Sequence, residues 1–157
     1  MAYKSNQFGN GRENGRFFQF ERLDVWRMSV DWANEIMELS ERIPKNYQYS
    51  LGEQLRRASL SVPTNIAEGT GRQGVKEKNH FYNIAKASVY EVISLLVMCG
   101  KRKIITREEY KVLYDQAHHI ASMLTGLLRA KAVASRRRKL GAPSLPSTLY
   151  SLPLKDL

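Results

Sequence analysis

Residues 51–69 read LGEQLRRASLSVPTNIAEG, and the fold is decided by how this stretch is laid on a helix. At about 100° per residue, Leu51, Leu55, Ala58, Val62 and Ile66 fall within about 80° of one another, the apolar stripe of a helix that faces a core. Beside the stripe lie Gln54, Arg57, Ser61, Asn65 and Glu68. A polar ladder that abuts a core is expected to be partly buried, and buried charge must be paired and hydrogen-bonded. Arg57 and Glu68 lie about 16 Å apart along an ideal helix, too far for a direct bond. Each therefore needs a partner through Ser61 and Asn65, on another helix or in another subunit. Pro63 removes the backbone bond to Ser59, so a bend is expected in mid-helix, with a break into two helices as the alternative.

The same period extends outward in both directions, and no alternating run argues for a strand. Four helices are expected, at about 24–43, 50–69, 75–99 and 106–140. The first ends before Pro44 and carries apolar residues on more than one side, Trp26, Val30, Trp32 and Met37 among them, so it is expected to meet partners on two sides. Ser50 with Glu53, and Thr106 with Glu109, have the spacing of capping boxes at the second and fourth starts. On the third, Phe81, Ile84, Ala85, Ser88, Val92, Leu95 and Cys99 share a face, and Gly100 suits a left-handed C-terminal cap. Short connections between long helices predict an all-α, antiparallel up-and-down four-helix bundle over 17–140. The glycine-dotted residues 1–16 read as a flexible arm. Pro143, Pro146 and Pro153, with Ser-Leu-Pro at 144–146 and again at 151–153, mark 141–157 as an extended or disordered tail with leucines and a tyrosine to dock.

The chain has 157 residues, enough for one domain with appendages, and a net charge of +10. Residues 133–157 hold five basic side chains and one acidic, so the tail is more basic per residue than the body. Such an excess points to a polyanionic partner. The expected phosphate contacts are Lys101, Arg102 and Lys103 after the third helix, and Arg136, Arg137, Arg138 and Lys139 on a basic rod ending the fourth. The alternatives are charge complementing a helix C-terminus for the first cluster and a solubilising run for the second. One cysteine, Cys99 among apolar neighbours, excludes an internal disulfide and reads as a buried thiol in a reducing compartment. A cytoplasmic protein is expected, without a signal segment or an apolar run of membrane-spanning length.

Enzymatic chemistry finds little support. His80, His118 and His119 lack ligand spacing for a metal, and no cofactor motif appears. Residues 69–74, GTGRQG, follow no strand and read as an interhelical turn. Tyr47 with Tyr49, and Tyr110 with Tyr114, read as packing pairs before base-stacking platforms.

The words Gln54-Leu55-Arg56-Arg57-Ala58, Ser61-Val62-Pro63-Thr64-Asn65-Ile66-Ala67-Glu68-Gly69 and Gly71-Arg72 closely resemble the QLRRA...S(I/V)PxNIAEGxGR signature of the 23S rRNA intervening-sequence protein family. The likeness extends to Phe20-x-x-Leu23-x-Val25-Trp26 and to Phe81-x-x-Ile84-Ala85-x-x-Ser88-x-x-Glu91, and covers roughly residues 17–130. Ala87 and Ile93 stand near positions where members usually carry glycine and a second acidic residue. The resemblance implies a non-enzymatic four-helix bundle that assembles as a ring, typically a homopentamer. It also places Glu91 beside Gln54, Arg57, Ser61, Asn65 and Glu68 in one structural polar network. A basic ring implies nucleic acid, RNA before DNA, as partner, without a membrane. One branch of the family is similar to the accessory variability determinant of diversity-generating retroelements, which implies an alternative role holding a reverse transcriptase together with template RNA.

Overall fold

The computed structural model describes residues 17–139, with side chains as far as Arg129, and all regular structure within them is helical. The arm 1–16 and the tail 141–157 lie outside the described residues. A 3-10 turn, Gln19–Arg22, leads into α1 (Asp24–Glu41); α2 spans Glu53–Gly71, α3 Val75–Lys101 and α4 Arg107–Lys139. Each helix packs on the next, and α1 closes against α4, the least extensive of the four contacts.

The core is the set of stripes read from the sequence, with one departure at the start of α3. Leu51, Leu55, Ala58, Val62 and Ile66 are buried, as are Leu113, Ala117, Ile120 and Leu124 on α4. On α3 the expected Ala85, Ser88, Val92, Leu95 and Cys99 are buried, joined by Tyr82, Val89 and Leu96, while Phe81 and Ile84 are half-buried instead of on the core face. Phe81 meets a different partner, the guanidinium of Arg72, 4.7 Å from its ring centre. The fully buried Cys99 has its thiol pKa pushed up by loss of hydration.

Two termini differ from expectation. The Ser50–Glu53 capping box does not form, because helical geometry begins earlier, with a turn at Lys45–Tyr47 after Pro44 that passes into a π-helical segment, Gln48–Gly52. Backbone groups that a cap would satisfy are already inside a helix, and the Ser50 hydroxyl donates to the Tyr47 carbonyl (3.3 Å). Nor does Gly100 end α3. The helix runs through it, and the left-handed residue is Lys103, φ 58°. Ile104 N–H donates to Cys99 O (2.9 Å) and Lys103 N–H to Gly100 O (3.0 Å), the paired bonds of a Schellman turn.

Pro63 is buried inside a continuous α2, so the alternative of two separate helices does not arise. The Thr106–Glu109 box forms as read: Thr106 N–H donates to Glu109 Oε2 (2.8 Å) and Glu109 N–H to Thr106 Oγ1 (3.1 Å). The backbone bond from Thr106, followed by a hydrogen bond from Arg42, holds the Glu109 carboxyl below the usual glutamate range. A depressed folded pKa means that this stabilisation is full above the ordinary glutamate value and is lost as pH falls through the folded one. Glu109→Gln should lower unfolding free energy by about 0.5–1 kcal/mol at pH 7, with a smaller difference at an acid pH below the usual glutamate range. Urea midpoints of both proteins at the two pH values check this.

A close approach fixes α2 against α3. A Cβ on Gly69 would lie 2.9 Å from Tyr82 Cε1 and 3.0 Å from Phe81 Cβ, whereas one on Gly71 meets nothing within 4 Å. Gly69→Ala should therefore cost about 1–3 kcal/mol through overpacking. Gly71→Ala should leave the thermal midpoint unchanged or slightly raised, as a helix-favouring change in open space.

Candidate nucleic-acid interface

The α1–α2 and α3–α4 connections meet at one end of the core, where Arg102 stacks 4.5 Å from the Tyr47 ring centre and donates from Nη1 to the Tyr47 hydroxyl (2.7 Å). Lys101, Arg102 and Lys103 are all exposed there. Tyr47 is half-buried, consistent with packing. Tyr49 does not pack: two residues along the chain from Tyr47, it is 90% exposed. Exposed Lys45 adds a further cation. Lys103 occupies the left-handed position that glycine adopts without cost, so the turn carries strain of about 1 kcal/mol.

The second predicted cluster is placed only in part. Backbone through Arg136, Arg137, Arg138 and Lys139 is helical, and α4 is six residues longer than α3, while these four side chains lie outside the described ones.

Charge of the opposite sign starts at the same end and runs along the α1–α4 face. A groove of about 670 Å³ between α1 and α4 is lined by Glu35, Glu38, Glu41, Glu108 and Glu109, with Arg42 its one cation. Arg42 is bound to Glu109 at 2.8 Å. That face repels a phosphate backbone, while the Lys101–Lys103 turn attracts one.

The polar ladder beside the α2 core divides. Asn65 Nδ2 donates to Ser61 O (2.7 Å) and Ser61 Oγ (3.0 Å), and Ser88 Oγ on α3 donates to Ser61 Oγ (2.9 Å), so these half-buried groups bind α2 to α3. Gln54, Arg57, Glu68 and Glu91 are exposed and do not join them. Glu68 pairs with Arg72, which also reaches Glu77 at 3.3 Å, while Gln54, Arg57 and Glu91 make no hydrogen bond or ion pair among the described residues.

The arginine that sequence reading passed over is Arg56. Its Nη1 donates to Ser40 Oγ (3.2 Å) and Gln48 Oε1 (3.2 Å), while Gln48 Nε2 donates to the carbonyls of Ser40 (2.9 Å) and Ile43 (2.8 Å). These bonds satisfy the open end of α1 and tie it to α2. The only available signal was the position of Arg56 one residue off the polar ladder, and the π-helical segment that aims Gln48 has no sequence signature.

Among the described residues no group of three His, Cys, Asp or Glu could hold a metal ion. Helix α3 is long and apolar enough by composition alone to cross a membrane, a property it shares with the core helices of bundles, and its buried line packs in the core.

Four long helices around one core, with basic groups gathered at a turn, define an all-α protein. Its family is specific: the chain belongs to the 23S rRNA-intervening sequence protein family, whose model matches residues 21–126. No curated protein matches the chain.

Proposed function

We propose that the chain is a basic scaffold without catalytic activity, an antiparallel up-and-down four-helix bundle that assembles with copies of itself, as a ring of five by resemblance to its family. It binds nucleic acid, RNA in preference to DNA, through phosphate charge in the cytoplasm. The observation that carries this reading is Lys103, a lysine held at φ 58° in the exposed run Lys101–Lys103, whose Arg102 stacks on Tyr47 two residues before the 90% exposed Tyr49. Lysine and arginine release counterions from a phosphate backbone, and a ring multiplies each such contact by its number of copies. Tyr49 offers a face for an unpaired base, which favours single strands over duplex. Self-association is supported by side chains left unpaired on the outer helix faces, such as Leu60 on α2 and Val112 on α4, both exposed.

Light scattering with and without a single-stranded RNA tests the assembly and the binding together, comparing the full chain with a truncation at Ala134. The expected result is a multiple of the 18.0 kDa protomer for the full chain, the same multiple of its own smaller protomer for the truncation, and a mass gain with RNA that shrinks on truncation. A monomer under all conditions overturns the ring. RNA binding no better than that of a charge-matched control, with a reverse transcriptase co-purifying, would replace this role by the accessory one.

A further inference from the structure

The family match stops at residue 126, and the described residues end at Lys139. Residues 140–157 read LGAPSLPSTLYSLPLKDL, with six leucines, one tyrosine and three prolines but only one lysine and one aspartate. On a chain of net charge +10 this segment is neutral and apolar. It is too short to bury its leucines on itself, and its prolines keep it from folding back as a helix.

An apolar groove of about 440 Å³ runs between α3 and α4, lined by Tyr90, Ile93, Tyr114, Ala121, Gly126 and Arg129. Tyr90 and Tyr114 are exposed, and Tyr114 is held by Tyr110, 5.7 Å away between ring centres. Gly126 sits inside α4, where glycine costs about 1 kcal/mol relative to alanine, and nothing lies within 4 Å of where its Cβ would be. It therefore leaves a notch in one wall, into which an extended backbone can come close. Aromatic-lined grooves of this kind accept proline-spaced extended segments, whose backbone is stiff before binding.

The lengths agree. From Lys139 back to Gly126 is about 20 Å along α4, and from Gly126 on to Tyr114 about 18 Å. An extended segment of 18 residues reaches about 59 Å. A chain that reverses at Gly141, where a left-handed turn is free of strain, spends about six residues returning to the notch. The remainder, carrying Leu149, Tyr150, Leu152 and Leu154, spans the groove. We propose that residues 145–154 of the same chain lie along the α3–α4 groove, with Tyr150 and its flanking leucines between Tyr90 and Tyr114. The tail then covers its own protomer's apolar face and leaves the other faces to contacts between copies.

A photo-cross-linking phenylalanine analogue placed at position 150 of the full chain tests this. After irradiation, cross-links should map to residues 89–93 and 114–126 and run at protomer mass on a denaturing gel. Two groove variants, Tyr114→Asp and the milder Ser122→Arg at an exposed lining position, should each lower the yield about tenfold, with helical circular dichroism retained in at least the second. Cross-links at dimer mass would assign the groove to a neighbouring copy and overturn the proposal. So would cross-links to other faces, a yield unchanged by Ser122→Arg, or no cross-link at all.

Discussion

Trp32→Ala is expected to cost about 3–5 kcal/mol, a large share of the about 5–15 kcal/mol that holds a domain of this size folded. The ring is 1% exposed, the largest fully buried side chain of the core. Its effect exceeds its volume because of where it lies. The α1–α4 contact is the least extensive of the four, and across it Trp32 Nε1 donates to Leu113 O at 3.1 Å. Removing the ring therefore opens a cavity at the seam with fewest other contacts to close it. Trp32→Phe separates the two contributions: it keeps most of the apolar surface, loses the bond, and should cost about 1–2 kcal/mol. Trp26 is the internal control. It is half-buried against Phe20, 4.9 Å between ring centres, and truncating it should cost about 1 kcal/mol. Urea unfolding followed by circular dichroism ranks all three, and a Trp32→Ala protein as stable as Trp26→Ala would refute the seam.

Sequence alone makes legible the features that repeat along a helix. The stripes of α2 and α4 were legible because each apolar position recurs at three or four residues. The Thr106–Glu109 cap was legible because both partners are local. Contacts that depend on how one helix is rotated against another were not: Tyr82 in place of Phe81 on the core face follows from the close approach at Gly69, which admits a flat ring edge at that point. Arg56 and Arg57 show the same limit. A wheel placed Arg57 on the ladder, but the π-helical segment before α2 brings Gln48 to Arg56, and the neighbouring guanidinium is left in solvent. At Ser50 a sound local signal failed because helix had already begun at Lys45. Signals at a helix start hold only if nothing helical precedes them. The basic clusters were legible as charge, while the strain at Lys103 was invisible, since glycine three residues earlier was the natural candidate for the turn.

That strain gives the sharpest test of the nucleic-acid reading, because it sets stability against binding. Lys103→Gly should raise unfolding free energy by about 1 kcal/mol, since glycine takes φ 58° freely, and should at the same time weaken RNA binding. A lysine with no role outside the fold would show the first effect alone. The double variant Lys101→Ala with Lys103→Ala removes two cations per protomer and leaves the Arg102–Tyr47 stack in place. Each phosphate contact contributes about 0.7 to the slope of log affinity against log salt for single strands, so the double variant should flatten that slope by about 1.4 per protomer in contact. At about 0.1 M salt the loss should be about tenfold to a hundredfold, larger if several protomers engage one strand. Tyr49→Ala should weaken binding by about 1–3 kcal/mol at every salt concentration, because stacking releases no counterions. Affinities by fluorescence anisotropy at four salt concentrations distinguish the cases. An unchanged slope in the double variant would remove the α3–α4 turn from the interface.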